Sequence, residues 1–381
     1  MTDWQAEWFP FGDAVYLDVA AQGPMTRAAM AAVGRSLEAK QAPHLYSDAS
    51  YFEAPNRVRA ALARLVGGQP EEIALTTGAS AGATAIANGL PWTAGDEVVT
   101  SAGEFPLQYT TWGPLAEREG VSLRIVAPSG RFLAADDVVA AITPRTKLVS
   151  LSLVRFDDGS LLDAPRVAAA CHANGALLCL DVSQCCGALP IDVAALGADF
   201  LTGAGYKWLL SPYGTGFFWM KLDRLDRFRP GPFYWMAREG SEDFSTLNVS
   251  DPKPQRSAKR WDTPEWASAF NMNLAALDAS LTWVERAGPG VVRTHNARLI
   301  DRMYASLPTG VVEPASPLDS GRRGPFGCLQ AGTAERTRAL YDALRQQNII
   351  VSLRQGKIRV SPYLFNTEAD IDRLCDVILN T

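Results

Sequence analysis

The chain has 381 residues, of which 47% are hydrophobic and 20% are charged, a composition typical of a globular protein of about two domains. A formal net charge of −5 and the absence of a basic run argue against nucleic acid and anionic lipid as partners. No apolar stretch approaches the roughly 18 residues of a membrane-spanning helix, and the first residues lack a basic segment followed by an apolar one. We therefore expect a cytoplasmic protein that acts on a small molecule.

The cysteines and histidines indicate neither a disulfide framework nor a metal site. The three histidines, His44, His172 and His295, are far apart and lack the spacing of metal ligands. The cysteines show no disulfide-like or C-x-x-C spacing in a chain of this length, so we expect them to be reduced. They are Cys171, Cys179, Cys185, Cys186, Cys328 and Cys375.

Residues 1–25 are predicted to form an arm with one short strand, and apolar residues at helical spacing predict two helices within residues 28–37 and 58–65. Strand and helix patterns alternate from residue 73 onwards. The predicted strands are 73–76, 97–100, 122–126, 147–152, 176–180, 199–202 and 216–220, with helical patterns around 80–90, 107–119, 135–142 and 163–174. This alternation predicts an α/β fold with a mostly parallel seven-stranded sheet that is covered on both faces.

Regular patterns are lost between residues 222 and 262, where proline, glycine, arginine and aspartate dominate. An irregular segment of this length is usually functional or packed against a partner. Helical patterns resume at 264–286 and 289–307, and a smaller α/β region follows. We therefore predict a large domain at residues 26–270 and a small C-terminal α/β domain at residues 271–381.

Lys207 is the first candidate for a catalytic residue. It stands at the end of a short apolar strand, after the small residues Gly203, Ala204 and Gly205. Burial of an ammonium without a partner is costly unless its pKa falls or it forms a covalent bond. A Schiff base with a carbonyl cofactor would satisfy this condition. The alternative is a lysine whose stem lies on apolar surface while its head reaches water.

Asp181 ends the apolar strand that precedes the strand of Lys207, and strand ends are where open α/β sheets bind ligands. Pyridoxal phosphate requires such a pair of residues: a lysine that holds the aldehyde, and a carboxylate that keeps the pyridine nitrogen protonated. The alternative role for Asp181 is a helix cap at a strand-to-helix turn.

A turn of small residues follows the strand at residues 73–76 and leads into a helical pattern. Gly78, Ala79 and Ser80 lie at the start of that helix, where free N–H groups and the helix dipole favour a phosphate dianion. Ser80 is also a candidate for the helix N-cap. Plain helix packing is the alternative explanation for small residues at such a turn.

These three segments, in this chain order, resemble those of the class V aminotransferase family of fold type I pyridoxal-phosphate enzymes, which also contains cysteine desulfurases, kynureninases and isopenicillin-epimerase-like proteins. The resemblance covers nearly the whole chain, from YLDVAAQGP at residues 16–24 to IRVSPYLFNT at residues 358–367. It implies a large cofactor-binding domain with a small C-terminal domain, an internal aldimine on Lys207, and a homodimer with composite active sites. It also implies an amino-acid substrate that reacts at Cα.

The resemblance further implies contacts between individual residues and the cofactor. Gln184 matches a residue that touches the ring hydroxyl, and Phe105 matches an aromatic residue that stacks on the ring. Phosphate contacts are implied for Gly78, Ala79, Ser80, Ser183, Tyr206 and, across the dimer interface, Thr263. The alternatives are an ordinary buried loop position for Phe105, and packing at the sheet edge for Tyr206 and Trp208.

Two positions depart from the family pattern. Phe156 stands where many relatives have an asparagine near the ring hydroxyl of the cofactor. Asp262 stands where the family has a glycine directly before the threonine that corresponds to Thr263. The role of both segments is therefore open at this point.

Arg359 is the strongest candidate for binding the substrate. A planar guanidinium pairs bidentately with a carboxylate, and the closing motif of the family has an arginine in this role. Arg354 and Gln22 are weaker candidates for the same pocket, and a surface arginine on a strand is the alternative for Arg359. Desulfurases have a nucleophilic cysteine shortly before this arginine; residues 353–359 contain none, which disfavours a persulfide mechanism.

In the reaction that these roles imply, Lys207 takes a proton from Cα and Asp181 keeps the ring an electron sink. The residues leave open whether transamination, β-elimination or racemisation follows, and we expect an aminotransferase-like reaction. A β-lyase, either a C–S lyase or a kynureninase-like enzyme, is the alternative reaction. A catalytically silent scaffold is the alternative from another class. A scaffold predicts loss of the cofactor residues, whereas Lys207, Asp181, Ser80 and Arg359 are all present.

Overall fold

The computed structural model describes residues 4–247, 249–263 and 271–381. Its strands, numbered along the chain, are β1 (Val15–Tyr16), β2 (Ile73–Thr76), β3 (Glu97–Ser101), β4 (Ser122–Val126), β5 (Thr146–Ser152), β6 (Leu177–Asp181), β7 (Phe200–Ala204), β8 (Gly216–Met220), β9 (Glu313–Pro314), β10 (Gly327–Gln330), β11 (Ile349–Ile350), β12 (Ser352–Arg354) and β13 (Lys357–Val360). Its helices are α1 (Arg27–Gln41), α2 (Ser50–Val66), α3 (Ala79–Gly89), α4 (Pro106–Trp112), α5 (Pro114–Glu119), α6 (Ala135–Val139), α7 (Ala164–Ala173), α8 (Val193–Leu196), α9 (Met272–Ala287), α10 (Pro289–Ser306), α11 (Ala334–Gln346) and α12 (Glu368–Leu379). Within these ranges, none of the helices combines the length and the apolar character needed to cross a bilayer.

The largest sheet in the described part of the chain has seven strands in the order β2-β8-β7-β6-β5-β3-β4. Strands β3 to β7 run parallel, and β8 runs antiparallel to both of its neighbours, β7 and β2. The predicted α/β fold with a mostly parallel seven-stranded sheet is confirmed. Parallel strands bring their carboxyl ends to one edge, where Ser152, Asp181 and Thr202 lie in register.

The large sheet is covered on both faces except at its edge strand β4, which is mostly exposed. Successive residues of a strand point to opposite sides, so a strand that is covered on both faces contributes to two cores. Leu178 and Leu180 of β6 belong to one apolar core, whereas Leu177 and Cys179 belong to the other. Every residue of β6, β7 and β8 is buried. Polar side chains therefore meet a ligand only where these strands end.

The C-terminal part of the chain forms a smaller layer with its own apolar core, to which α10, α11 and α12 contribute. Its antiparallel sheet has the strand order β12-β13-β10-β9. The short strand predicted in the N-terminal arm is β1, which pairs in parallel with β11 and places Val15 opposite Ile349. The arm therefore lies against the C-terminal region.

Helix α9 packs on α1 and α2, and its apolar residues Leu277, Leu281 and Val284 join a core of the large sheet. The division of the chain into domains at residue 270 stays a prediction. The predicted start of this helix at residue 264 lies outside the described residues, which resume at residue 271.

The irregular segment at residues 222–262 packs against helix α2 through aromatic side chains. The ring of Phe244 lies 5.5 Å from that of Tyr51, 5.7 Å from that of Phe52 and 5.7 Å from that of Trp235. These ring contacts attach the segment, whose regular structure consists of short 3-10 helices in the described residues, to α2.

Candidate active site

A cavity of about 180 Å³ lies at the carboxyl edge of the large sheet, between the ends of β5, β6 and β7 and the start of α3. Among the predicted cofactor residues, Thr263 does not line it, and neither do the predicted substrate residues Gln22, Arg354 and Arg359. The lining residues are Thr77, Gly78, Ala79, Ser80, Ala81, Phe105, Leu107, Ser152, Val154, Phe156, Asp181, Ser183, Gln184, Ala204, Tyr206 and Lys207.

Lys207 follows β7 in a loop that two glycines hold in place. Gly205 N donates to Thr215 O over 2.8 Å, and a Cβ at Gly205 would lie 2.2 Å from Thr215 Oγ1. Gly23 N donates to Tyr206 O over 2.8 Å, and a Cβ at Gly23 would lie 2.0 Å from Lys207 O. The space at the Cα of each glycine admits only a hydrogen atom. The two glycines therefore allow the N-terminal arm and the start of β8 to pack directly against the loop of Lys207.

The amine of Lys207 is buried, and the whole residue is 7% exposed. Burial is the largest cause that lowers the pKa of Lys207 to about 8; Arg359 and Arg354 act in the same direction, and Asp181 acts in the opposite direction. An appreciable fraction of the amine is therefore unprotonated and nucleophilic slightly above neutral pH. A lysine whose head reaches bulk water, the alternative interpretation, does not fit this burial.

Asp181 lies at the last position of β6, directly opposite Ser152 of β5. Its Oδ1 accepts a hydrogen bond from Ser183 N at 2.8 Å, and its Oδ2 has no hydrogen bond in the described part of the chain. No helix begins between Asp181 and Val193, a stretch that the structure describes completely, so the helix-cap role is not observed. The carboxylate is thus fixed through one oxygen and leaves the other for a ligand.

Ser183 and Gln184 connect the end of β6 to neighbouring segments. Ser183 Oγ accepts from Ala204 N at 3.0 Å. The amide of Gln184 is bound on both sides, because Nε2 donates to Ala20 O at 3.2 Å and Oε1 accepts from Trp208 Nε1 at 3.4 Å. Both residues line the cavity, and their contacts hold the strand ends around it.

The turn before α3 packs directly on the sheet. A Cβ at Gly216 of β8 would lie 2.5 Å from Gly78 Cα, and a Cβ at Gly82 would lie 3.0 Å from Phe218 Cβ. Close helix packing therefore accounts for part of the small-residue pattern. The N-cap of α3 is Gly78, so the N-cap role expected for Ser80 is wrong, and Ala81 N donates to Gly78 O at 3.2 Å. The N–H groups of Ala79 and Ser80 precede the first intrahelical bond, and Ser80 is exposed to the cavity, so packing and anion binding are compatible here.

Phe105 is 40% exposed, which does not fit an ordinary buried loop aromatic. Its ring lies 5.4 Å from that of Phe156 in an edge-on contact, and Lys207 Nζ lies 5.4 Å from its ring centre. The preceding residue, Glu104, is buried and accepts from Ser152 N at 3.1 Å and Ser152 Oγ at 2.6 Å. Burial raises the pKa of Glu104. Sequence reasoning missed Glu104 and Ser152, although their positions beside strand ends are a signal that could have identified them.

Tyr206 both lines the cavity and packs against a neighbour. Its ring stacks on that of Tyr213 at 4.1 Å and 13°, and Lys207 Nζ lies 5.5 Å from the Tyr206 ring centre. Burial raises the pKa of Tyr206, so its hydroxyl stays a proton donor. Trp208 is fully buried and packs in the core, as the packing alternative predicts.

Arg359 of β13 lies next to the cavity wall and is 2% exposed. Its Nη1 donates to the backbone oxygen of Phe156, a lining residue, at 3.1 Å. Its Nη2 lies 3.5 Å from Asp18 Oδ1. A surface position for Arg359 is therefore not observed. Sequence reasoning missed Asp18 as its neighbour, although Asp18 belongs to the N-terminal motif that carries the resemblance.

The two weaker substrate candidates lie away from the cavity lining. Arg354 is half-buried, and its Nη1 donates to Leu353 O at 3.0 Å. The side chain of Gln22 is exposed, and its backbone oxygen accepts from Tyr16 Oη at 2.7 Å. A role for either residue in substrate binding stays a prediction.

Thr263 and Asp262 lie along the edge strand β2. Thr263 N and Oγ1 both donate to Leu75 O, at 3.1 and 3.3 Å. Asp262 accepts from Leu75 N at 2.8 Å and forms a buried ion pair with Arg59 of α2. The carboxylate that replaces the glycine of the family thus has a structural role, which is to anchor the irregular segment to the sheet.

The residues around the cavity fit pyridoxal phosphate. A buried amine, a buried carboxylate with an unbonded oxygen and the start of a helix line the same space. They correspond to the three groups of the cofactor: an aldehyde, a ring nitrogen and a phosphate.

Comparison with known proteins agrees with this chemistry. The family model described as Aminotransferase class-V matches residues 15–374. The chain belongs to the aminotransferase class-V family. The predicted membership is confirmed, and the cofactor of the family is pyridoxal phosphate.

Several members of the family resemble this chain over most of its length. Isopenicillin N epimerase of Streptomyces clavuligerus is 30% identical over 333 residues, which are 84% of this chain and 83% of that protein. The kynureninase of Deinococcus radiodurans is 26% identical over 336 residues, covering 83% of this chain and 78% of the kynureninase. The solved structure of the cystine C-S lyase C-DES with cysteine persulfide has a TM-score of 0.84 and 22% identity, over 96% of this chain and 97% of that one.

The structural likeness at 22% identity supports the fold alone. The names of the two sequence relatives describe different reactions. Membership of the class-V family therefore defines a pyridoxal-phosphate-dependent transferase or lyase, and the choice of reaction has to come from the site.

Proposed function

We propose that the cavity binds pyridoxal phosphate and that the protein is an aminotransferase-like enzyme that acts at Cα of an amino acid. The observation that carries the proposal is that the buried Lys207 amine and the Asp181 carboxylate line one cavity. Lys207 would hold the aldehyde of the cofactor and Asp181 its ring nitrogen. The further residues proposed to contact it are Gly78, Ala79, Ser80, Phe105, Ser183, Gln184 and Tyr206.

When bound, the cofactor would withdraw electrons from the substrate and so acidify the Cα–H bond. Lys207 is the proposed base, because burial lowers its pKa to about 8 and its Nζ can both accept and return a proton near neutral pH. The hydrogen bond from Ser183 N orients Asp181. Phe105 and Phe156 supply apolar walls that limit the access of water.

The composition of the cavity wall argues against a persulfide mechanism. Among the described residues that line the cavity, Lys207 has the only basic nitrogen, and no lining residue has a thiol. A persulfide mechanism requires a nucleophilic cysteine. The cysteines of the chain are all buried, and burial raises the pKa of Cys328, near Arg359, to about 12.

Arg359 is the proposed ligand of the substrate carboxylate. It contacts Phe156 of the cavity wall, and its Nε atom has no hydrogen bond within the described ranges. A carboxylate that pairs bidentately with this guanidinium would orient the amino acid relative to Lys207.

We also propose that the enzyme works as a homodimer in which Thr263 approaches the phosphate bound by the second copy. The ring of Tyr213, which stacks on Tyr206 beside the cavity, is 61% exposed, so an aromatic surface next to the site is available to a second copy. Mixing Lys207→Ala and Thr263→Ala subunits tests the proposal. Composite sites predict recovered activity in the mixed dimer, whereas activity that never exceeds that of the separate variants would contradict them.

The reaction is tested with purified protein, added pyridoxal phosphate and a panel of amino acids with a 2-keto acid acceptor. Keto acid, ammonia and sulfide are assayed separately. Keto acid formation that depends on the acceptor and releases no ammonia is the expected result. Release of ammonia with pyruvate or sulfide would favour the β-lyase instead, and a protein that stays colourless with added cofactor would favour the scaffold.

A further inference from the structure

Asp18 and Arg359 form a contact that the proposed reaction does not use. Asp18 Oδ1 lies 3.5 Å from Arg359 Nη2, and the side chains are 14% and 2% exposed. A charge-assisted hydrogen bond between such groups is usually about 2.7–2.9 Å long. The two charges therefore face each other in a buried place without forming a close pair.

Ser352 holds Asp18 in position through contacts that are shorter than the one between Asp18 and Arg359. Ser352 Oγ lies 2.7 Å from each of the two carboxylate oxygens of Asp18, so its hydroxyl can donate to either. Ser352 and Arg359 are opposite residues of β12 and β13. The place of Asp18 is thus fixed by a neutral donor, and Arg359 can turn to another anion while Asp18 stays where it is.

Arg359 has unused capacity for such an anion. Its Nη1 donates to Phe156 O. Its Nη2 lies 3.5 Å from Ser352 Oγ and 3.5 Å from Asp18 Oδ1, and both distances are long for hydrogen bonds. Its Nε has no hydrogen bond in the described part of the chain. A buried guanidinium in this state gains from a carboxylate that binds it bidentately. That carboxylate must share the guanidinium with Asp18, and two neighbouring carboxylates repel each other.

We propose that Asp18 lowers the affinity of this position for carboxylates by competing with the substrate carboxylate for Arg359. The competition weakens every carboxylate at this position, and a ligand held by the carboxylate alone has no second contact to compensate. An amino acid is retained because its amine also engages the cavity of Lys207. This inference rests on the proposed role of Arg359 in the proposed function.

The test replaces the charge of Asp18 and keeps its shape. Asp18→Asn retains an oxygen that accepts from Ser352, and it removes the competing charge. In the holoenzyme we expect this variant to lower the KM for amino acids and the dissociation constant of propionate by about tenfold, with little change in kcat. Calorimetric titration with propionate gives the second value without turnover. Amino-acid amides, which lack a carboxylate, should keep their affinity.

A matched control is Asp13→Asn, the same substitution at an exposed position of the same arm, where Asp13 accepts from Asn348. It should leave both constants unchanged. A rise in the constants of Asp18→Asn would overturn the competition and make Asp18 a residue that positions Arg359, whereas unchanged constants would overturn the competition without giving Asp18 that role. Asp18→Ser makes the same comparison if the asparagine variant does not fold.

Arg359→Gln separates this inference from the proposed function. In the Arg359→Gln background, Asp18→Asn should no longer affect propionate binding, because the competition acts through the guanidinium. A wild-type protein that turns over no amino acid, while Asp18→Asn still tightens propionate, would contradict the proposed reaction and support the role of Asp18. Turnover with a KM that does not respond to Asp18→Asn would contradict the role of Asp18 alone.

Discussion

Gly23 and Lys207 are in contact through the backbone, so closely that a Cβ at Gly23 would lie 2.0 Å from the carbonyl oxygen of Lys207. Gly23 N also donates to the oxygen of the preceding residue, Tyr206. The N-terminal arm therefore fixes the loop that carries the proposed catalytic amine, although the two segments are far apart in sequence.

Gly23→Ala is expected to displace the Lys207 loop and to lower turnover by about 10²-fold, because a small misplacement of a reacting group is costly. Cofactor uptake should weaken as well. Absorption titration with pyridoxal phosphate and keto acid assays measure both effects. Gly34→Ala is the control, since a Cβ at Gly34 in helix α1 meets no atom within 4 Å. Equal activity of the two variants would contradict the contact.

Lys207→Ala is expected to lower turnover by about 10²–10⁴-fold, because it removes the proposed general base. The bound cofactor should also lose its characteristic visible absorption. The control is Lys221→Ala, which removes a lysine whose side chain is 48% exposed and whose Nζ lies 3.4 Å from Asp223. Turnover that survives the loss of Lys207 would rule out this residue as the base.

Cofactor uptake by the apoprotein is expected to accelerate as the pH rises through about 8, the lowered pKa of Lys207. The unprotonated amine is the nucleophile, and its fraction increases across this range. Stopped-flow absorbance after mixing with pyridoxal phosphate measures the rate at each pH. If the amine had an ordinary pKa, the rate of cofactor uptake would instead increase up to about pH 10, and this result would contradict the lowered pKa of Lys207.

The same pKa shift predicts how the stability of the apoprotein depends on pH. Between the folded value of about 8 and the unfolded value of 10.5, the unfolded chain binds more protons at Lys207 than the folded chain does. The free energy of unfolding should therefore rise with pH in this window. Lys207→Met should reduce the slope, measured by urea unfolding at several pH values. An unchanged slope would show that Lys207 does not titrate in this range.

Arg59→Met is expected to lower the free energy of unfolding by about 3–5 kcal/mol, because it leaves the buried carboxylate of Asp262 without its cation. The side chains of this pair are 5% and 10% exposed. Arg57→Met on the same helix breaks the Arg57–Asp278 pair, whose side chains are 60% and 25% exposed, and should cost no more than about 1 kcal/mol. Urea unfolding compares the two variants, and similar losses would contradict a structural role for Asp262.

The strands of the large sheet could be predicted closely from the sequence, because most of them are short runs that are buried on both faces; the edge strand β4 is mostly exposed. Lys207 and Asp181 could be selected as candidates for a related reason, since Asp181 ends the apolar run of β6, and Lys207 follows the end of β7 after Gly205 and Tyr206. Both signals are local in sequence, and the register of β6 with β5 and β7 then brings the strand ends together.

The contacts that tune the site could not be predicted in this way. The pairs Asp18–Arg359 and Arg59–Asp262 each join segments that are distant in the chain, and no local pattern indicates which charges meet. The packing of Gly23 on Lys207 could not be predicted either, because a glycine can occur in a loop for many structural reasons. Such contacts depend on how the layers pack, which periodicity alone does not specify.

Strand β8 lies between β2 and β7 and runs in the opposite direction, so that Gly216 is opposite both Thr76 and Ala204. Thr76 and Ala204, which precede the turn at Gly78 and the loop of Lys207, are therefore separated by two strand spacings, which amount to about 10 Å. This separation is set by backbone hydrogen bonds rather than by side chains. A ligand that engages both segments has to bridge only the part of this distance that the side chain of Lys207 does not cover, so the strand order and the length of the lysine together limit the length of the ligand.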